Sequence, residues 1–118
     1  MTTFAVSVHG PNCDVRVAGD LDIASADELI ERGLLGLQAR SVNTLTIEMA
    51  AVDFLDSTGI GALVTLRNQA VDLGKDMQLH NVTDRVMKVL KMTGLDTVFS
   101  IHREPRSEGD RSEDGVTV

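Results

Sequence analysis

Apolar and polar side chains alternate at two places near the start of the chain. Phe4, Val6 and Val8 are interleaved with Ala5, Ser7 and His9, and Val15 and Val17 with Asp14, Arg16 and Ala18. A period of two marks strands with one apolar face. Gly10-Pro11-Asn12 supplies turn chemistry between them, so residues 1–20 predict a β-hairpin. Gly19-Asp20-Leu21-Asp22 is expected to be a loop, because a Gly and two Asp so close together suit neither a strand nor a helix interior.

The period then changes. Ser25-Ala26-Asp27-Glu28 has the form of a capping box, and Ala26, Leu29, Ile30, Leu34 and Leu37 recur at helical spacing behind it. Leu45, Ile47 and Met49 alternate with Thr44, Thr46 and Glu48, which predicts a strand. After Val52, Phe54 and Leu55 a second helix is expected to run to about Leu73, closed by Gly74-Lys75-Asp76. Met77 to Asn81 reads as a short strand. Thr83 caps a third helix with Val86, Val89 and Leu90 facing inward, Gly94 stops it, and Thr97 to Ile101 is the last apolar segment. This order predicts an α/β domain: one small mixed sheet, with later strands parallel through right-handed crossovers. The clean alternation in the strands places the helices mainly on one face.

The chain has 118 residues, a domain-sized length, with 11 basic and 18 acidic side chains and a net charge of −7. Residues 1–102 alone carry eight basic and thirteen acidic side chains, and are taken as the domain. Residues 103–118 are charge-rich and nearly free of apolar side chains, and are expected to be a disordered acidic tail dispensable for folding. The charge gives no general attraction to nucleic acid or anionic lipid, and the absence of Trp and Tyr removes stacking platforms for single strands. No apolar run reaches the ~20 residues of a membrane span and no signal pattern opens the chain, so a cytoplasmic protein is expected. Cys13 stands alone, and His9, His80 and His102 lack ligand spacing. Neither a metal site nor a cofactor is expected.

The densest stretch is Asp53-Phe54-Leu55-Asp56-Ser57-Thr58-Gly59-Ile60-Gly61, at a strand-to-helix junction. Ser57 reads as the N-cap of that helix. A cap alone does not require Gly59 and Gly61, each costing ~1 kcal/mol of helix propensity relative to Ala. Thr58, Gly59 and Gly61 therefore suggest a narrow, approachable helix start. Loops beyond the carboxyl ends of α/β strands gather at one end, which should bring Asp20 and Asp22 near Asp53, Asp56 and Ser57; these Asp residues also suit ordinary loop and capping roles. An enzyme is not expected. In Asp56-Ser57-Thr58-Gly59 the Gly comes one place late for an aspartic protease, and Leu55 stands where a hydrolase elbow needs Gly.

With these residues in view, the chain resembles the STAS-domain family, specifically the bacterial anti-anti-sigma factors. Asp53 through Gly61 is similar to their phosphorylation motif and Gly19-Asp20-Leu21-Asp22 to their Gly-acid-Leu-Asp loop. Val86 to Leu90, Gly94-Leu95 and Val98-Phe99-Ser100-Ile101 follow their C-terminal pattern, so the likeness runs over about residues 4–101 in order. The final amphipathic helix of many relatives has no counterpart after Ile101. The resemblance implies a small sheet with helices on one side and a binding switch. The unphosphorylated protein would bind an anti-sigma factor of the serine-kinase type and free a sigma factor. Phosphorylation of Ser57, with Thr58 the second choice, would end the interaction, and a PP2C-type phosphatase would restore it. Asp20, Asp22, Asp56, Ser57, Thr58, Gly59 and Gly61 would form the partner-binding surface. STAS domains also serve as scaffolds in stress-signalling assemblies and as accessory subunits of membrane-transport systems, which is the alternative reading.

Overall fold

The computed structural model describes residues 1–103. Its strands are β1 (Thr3–His9), β2 (Asn12–Leu21), β3 (Thr44–Leu55), β4 (Asp76–His80) and β5 (Ser100–His102). Its helices are α1 (Ala26–Gln38), α2 (Ser57–Asp72) and α3 (Asp84–Met92), with one 3₁₀ turn at Leu95–Thr97. The five strands form one mixed sheet in the order β1-β2-β3-β4-β5. β1 and β2 are antiparallel, and every later neighbour is parallel. The α/β mixed sheet expected from the sequence is therefore present.

Strand alternation separates two faces. Cys13, Val15, Val17, Leu45, Ile47, Met49 and Leu79 are fully buried, and Leu29, Leu37, Leu63, Leu66, Val86 and Leu90 from the three helices join the same core. The intervening Asp14, Arg16, Thr44, Thr46, Glu48, Gln78 and His80 line the other, open side of the sheet. α1 approaches closely because it carries glycine where it meets its neighbours. A Cβ on Gly33 would lie 2.6 Å from Leu66 of α2, and one on Gly36 would lie 2.6 Å from the Cys13 sulfur. Lys75, just after α2, donates from Nζ to the carbonyls of Leu37 (2.6 Å) and Ala39 (2.9 Å), supplying partners at the C-terminal end of α1.

Two local expectations are corrected. Gly19-Asp20-Leu21 is not loop but the end of β2. The pairing of β2 with β3 shifts register between Arg16 and Ala18 and again between Gly19 and Asp20, which accommodates the Gly-acid sequence inside a strand. Gly19 takes φ +114°, and a Cβ there would lie 2.8 Å from the Met1 carbonyl oxygen. The capping box at Ser25 does not form either. Ser25 has helical rather than extended backbone angles (φ −116°, ψ −11°), and its hydroxyl donates to the Asp20 carbonyl at 2.8 Å and accepts from the Asp22 N–H at 3.1 Å. Glu28 pairs with Arg32 instead, at 2.9 Å. At the third helix Thr83 does cap, accepting from the Val86 N–H at 3.2 Å.

The expected tail spans residues 103–118, of which 104–118 lie outside the described residues. Arg103 itself is tied to the body: its guanidinium donates to the Val82 carbonyl at 2.8 and 3.1 Å and meets Asp84 at 2.9 Å.

Candidate functional site

The site is built where β2 and β3 end. The Leu21 carbonyl, at the end of β2, accepts the Asp56 N–H at 3.1 Å and so holds Asp56 extended (φ −100°, ψ −176°) as the chain leaves β3. From that position Asp56 Oδ1 accepts the Gly59 N–H at 2.9 Å, and its carbonyl accepts the Ile60 N–H at 2.9 Å. Asp56 is therefore the N-cap of α2, and Ser57 is its first helical residue. The sequence offered two adjacent cap formers; the bond from Leu21, a residue far away in sequence, selects Asp56.

This correction changes the character of Ser57. Both Ser57 and Thr58 are exposed, and neither hydroxyl has a hydrogen-bond partner among the described residues. Their N–H groups belong to the first helical turn, where no intrahelical acceptor exists. Gly59 is not part of the open surface: it is buried, and a Cβ there would overlap the Leu21 carbonyl group and lie 2.9 Å from Leu55. Gly61 is exposed, with nothing within 4 Å of the position a Cβ would take.

The acidic residues gather as the topology requires. Asp20 pairs in register with Phe54, and Asp22 and Asp56 each follow a residue of the next pair, Leu21 with Leu55. Asp22 closes its own turn, its Oδ1 accepting from the Ala24 N–H at 3.0 Å and from the Ser25 hydroxyl at 3.2 Å. Asp53 is exposed and falls in the register shift, opposite no β2 residue. Among the described residues none of these four carboxylates forms an ion pair.

The exposure of two apolar residues beside this acidic group escaped the sequence reading. Ile23, directly after Asp22, is 79% exposed, and Phe54, beside Asp20, is 48% exposed. Alternation assigned Phe54 to the approach strand and gave no signal that the register shift would turn it outward. The one available signal was a large aromatic set between Asp53 and Asp56 in a chain with only three Phe.

The histidines lie elsewhere, on strand positions. His9 contacts the Ser7 hydroxyl at 3.1 Å, and the rings of His80 and His102 stand 5.2 Å apart on neighbouring strands. Among the described residues no group of three His, Cys, Asp or Glu side chains is arranged to hold a metal ion. No helix among them is long and apolar enough to cross a membrane.

Comparison with known proteins agrees with this architecture. The STAS domain family model matches residues 3–107. The anti-sigma-B factor antagonist of Bacillus subtilis (strain 168) is 32% identical over 95 residues, covering 80% of this chain and 84% of that protein. The solved structure of the anti-sigma factor antagonist SpoIIAA in its unphosphorylated form superposes with a TM-score of 0.73 at 20% identity, over 91% of this chain and 92% of that one. The phosphorylated form of SpoIIAA from Bacillus gives 0.69 at 18% identity, over 91% and 96%. With a family match spanning nearly all of the described residues, and a relative above 30% identity along most of its length, this chain belongs to the STAS domain family.

Proposed function

We propose that this STAS domain is an anti-anti-sigma factor: unphosphorylated, it binds an anti-sigma factor of the serine-kinase type, and phosphorylation of Ser57 by that partner switches it off. A PP2C-type phosphatase resets it. The observation that carries this reading is the division of labour at the start of α2. Asp56 performs the capping, which leaves the Ser57 hydroxyl exposed and without a hydrogen-bond partner among the described residues. The likeness to proteins named anti-sigma factor antagonists, one of them solved in a phosphorylated form, supports it.

The geometry explains how one phosphate can act on binding and spare the fold. The group adds about −1.5 to −2 charge. Free N–H groups and the helix dipole at the start of α2 favour an anion there, while Asp56 and Asp22 oppose it. Each of these opposing effects is of order 1 kcal/mol in a water-exposed setting. In a docked complex the water is gone, and an uncompensated buried charge costs roughly 3–5 kcal/mol, or about two to nearly four orders of magnitude in affinity. Ile23 and Phe54 give the partner apolar surface beside Asp20 and Asp22, with Thr58 and Gly61 on the helix side.

Pull-down with purified candidate anti-sigma kinases, with and without ATP, tests the proposal. Capture without ATP, release with it, and phosphate mapped to Ser57 by mass spectrometry are the expected results. Phosphate on Thr58 with Ser57 intact would overturn the site, and absence of capture by every kinase-type anti-sigma factor would overturn the function.

A further inference from the structure

Strand β1 forms one border of the sheet, and among the described residues no strand lies on its outer side. Native proteins protect such edges with charge, proline, a bulge or a short length. β1 has none of these: it is seven residues long, contains no Lys, Arg, Asp, Glu or Pro, and pairs with β2 without a register shift. The shifts all lie on the other side of β2. Val6 and Val8 sit beside the fully buried Val15 and Cys13, yet are 42% and 55% exposed.

The order of residues along this edge is nearly the same read in either direction from Val6. Phe4 and Val8 lie two places out, Ala5 and Ser7 one place out, and the uncharged Thr3 and the histidine His9 three places out. From this we infer that the outer edge of β1 is a contact between two copies of the chain, paired antiparallel about a twofold axis at Val6. Val6 then meets Val6 of the second copy, and Phe4 meets Val8 on the same face. Ala5 meets Ser7 on the other face. A self-complementary patch is what a twofold interface requires. The strand itself carries no Lys, Arg, Asp or Glu, so two copies, each at −7 overall, bring no like-charged side chains into register along this edge. The Ser57 site lies at the ends of β2 and β3, beyond Ala18, the partner of Thr3 at the start of β1, so a contact centred on Val6 is a different place on the sheet and stands independently of the function proposed for that site. A seven-residue edge is a small interface, and the dimer is a reversible one.

Sedimentation equilibrium of the full chain from micromolar to millimolar concentration tests this. The average mass should rise toward twice the monomer value, and Val6→Lys should hold it at the monomer value while keeping the wild-type melting curve in dilute solution. Cross-linking gives a second, geometric reading. Antiparallel partners have Cα atoms about 4.5–5.5 Å apart, within disulfide reach, so Val6→Cys should cross-link under mild oxidation. Val8→Cys should not, because each Val8 faces Phe4 and the two thiols are about 13 Å apart along the strands. The native Cys13 is fully buried and stays silent. Wild-type chain at monomer mass throughout, dimerisation unchanged by Val6→Lys, or equal cross-linking by the two cysteine variants would each overturn the inference.

Discussion

The backbone of Gly59 rests against the carbonyl of Leu21, with no room between them for a Cβ. The same carbonyl accepts the N–H of Asp56 at 3.1 Å. The first turn of α2 is thus seated on the last residue of β2. The turn that begins at Asp22 and the helix start that carries Ser57 are fixed to one another by backbone, the least adjustable part of either segment. Under the proposed function, a partner would meet Ile23, Asp22 and Ser57 as one prepared surface.

The two glycines of the motif should therefore respond in opposite ways. Gly59→Ala forces backbone apart and should destabilise the fold by about 1–3 kcal/mol. Gly61→Ala meets open space at a helical position and should stabilise it by about 0.5–1 kcal/mol. Urea unfolding measures both. Equal effects would show that the Leu21 carbonyl does not constrain the helix start. If α2 docks on the anti-sigma factor as proposed, Gly61→Ala should also weaken binding while it raises stability, since the added methyl group has no neighbour inside the domain.

The capping assignment gives a second pair. Asp56→Ala should cost about 1 kcal/mol, with Asp56→Asn retaining most of the stability because the amide oxygen still accepts from Gly59. Ser57→Ala should stay within about 0.5 kcal/mol of wild type, as an exposed substitution that breaks no bond. Thermal or urea unfolding of the three variants decides it. A loss at Ser57 as large as that at Asp56 would return the cap to Ser57.

Much of this fold was legible in the sequence because its local signals agree with its packing. Alternation separated Val15 and Val17 from Asp14 and Arg16, and Thr83 and Gly94 bounded α3 as their chemistry dictates. What was not legible depends on contacts between distant segments. Asp56 and Ser57 are both good caps, and only the carbonyl of Leu21 chooses between them. Ser25 has the right neighbours for a capping box, yet its hydroxyl is committed to Asp20 and Asp22. Asp20 and Leu21 read as loop because a bulge cannot be seen until its partner strand is known. Gly33 and Gly36 look like weak points in a helix and prove to be where α1 meets Leu66 and Cys13.

That last contact makes a third prediction. Gly36→Ala should be destabilising in the wild-type background, because its Cβ would lie 2.6 Å from the Cys13 sulfur. In a Cys13→Ala background the sulfur is gone and the same change should cost less, although Cys13→Ala alone is itself destabilising through the cavity it leaves. A double-mutant cycle in urea should show a coupling of about 0.5–3 kcal/mol in favour of the double variant. Additive effects would mean that α1 and β2 adjust independently at this point.

Cys13 also supplies a pH test of the core. Burial pushes its thiol above the ordinary value, and the neighbouring Asp14 carboxylate adds to the effect. The folded protein thus binds the thiol proton more tightly than the unfolded chain does. Stability from this source is complete below the free-thiol value of about 8.5 and is lost as the pH climbs through the higher folded value. The chain has no Tyr to titrate in the same range. Unfolding free energy measured between about pH 8 and pH 10 should therefore decline more steeply in wild type than in Cys13→Ala. Alkylation of the wild-type thiol should be slow in the folded state and fast in denaturant, since the nucleophile is the thiolate and both burial and proton affinity suppress it. A Cys13 that reacts at the rate of a free thiol in native buffer, or parallel pH profiles for the two proteins, would show that β2 and α1 do not seal the sulfur from water.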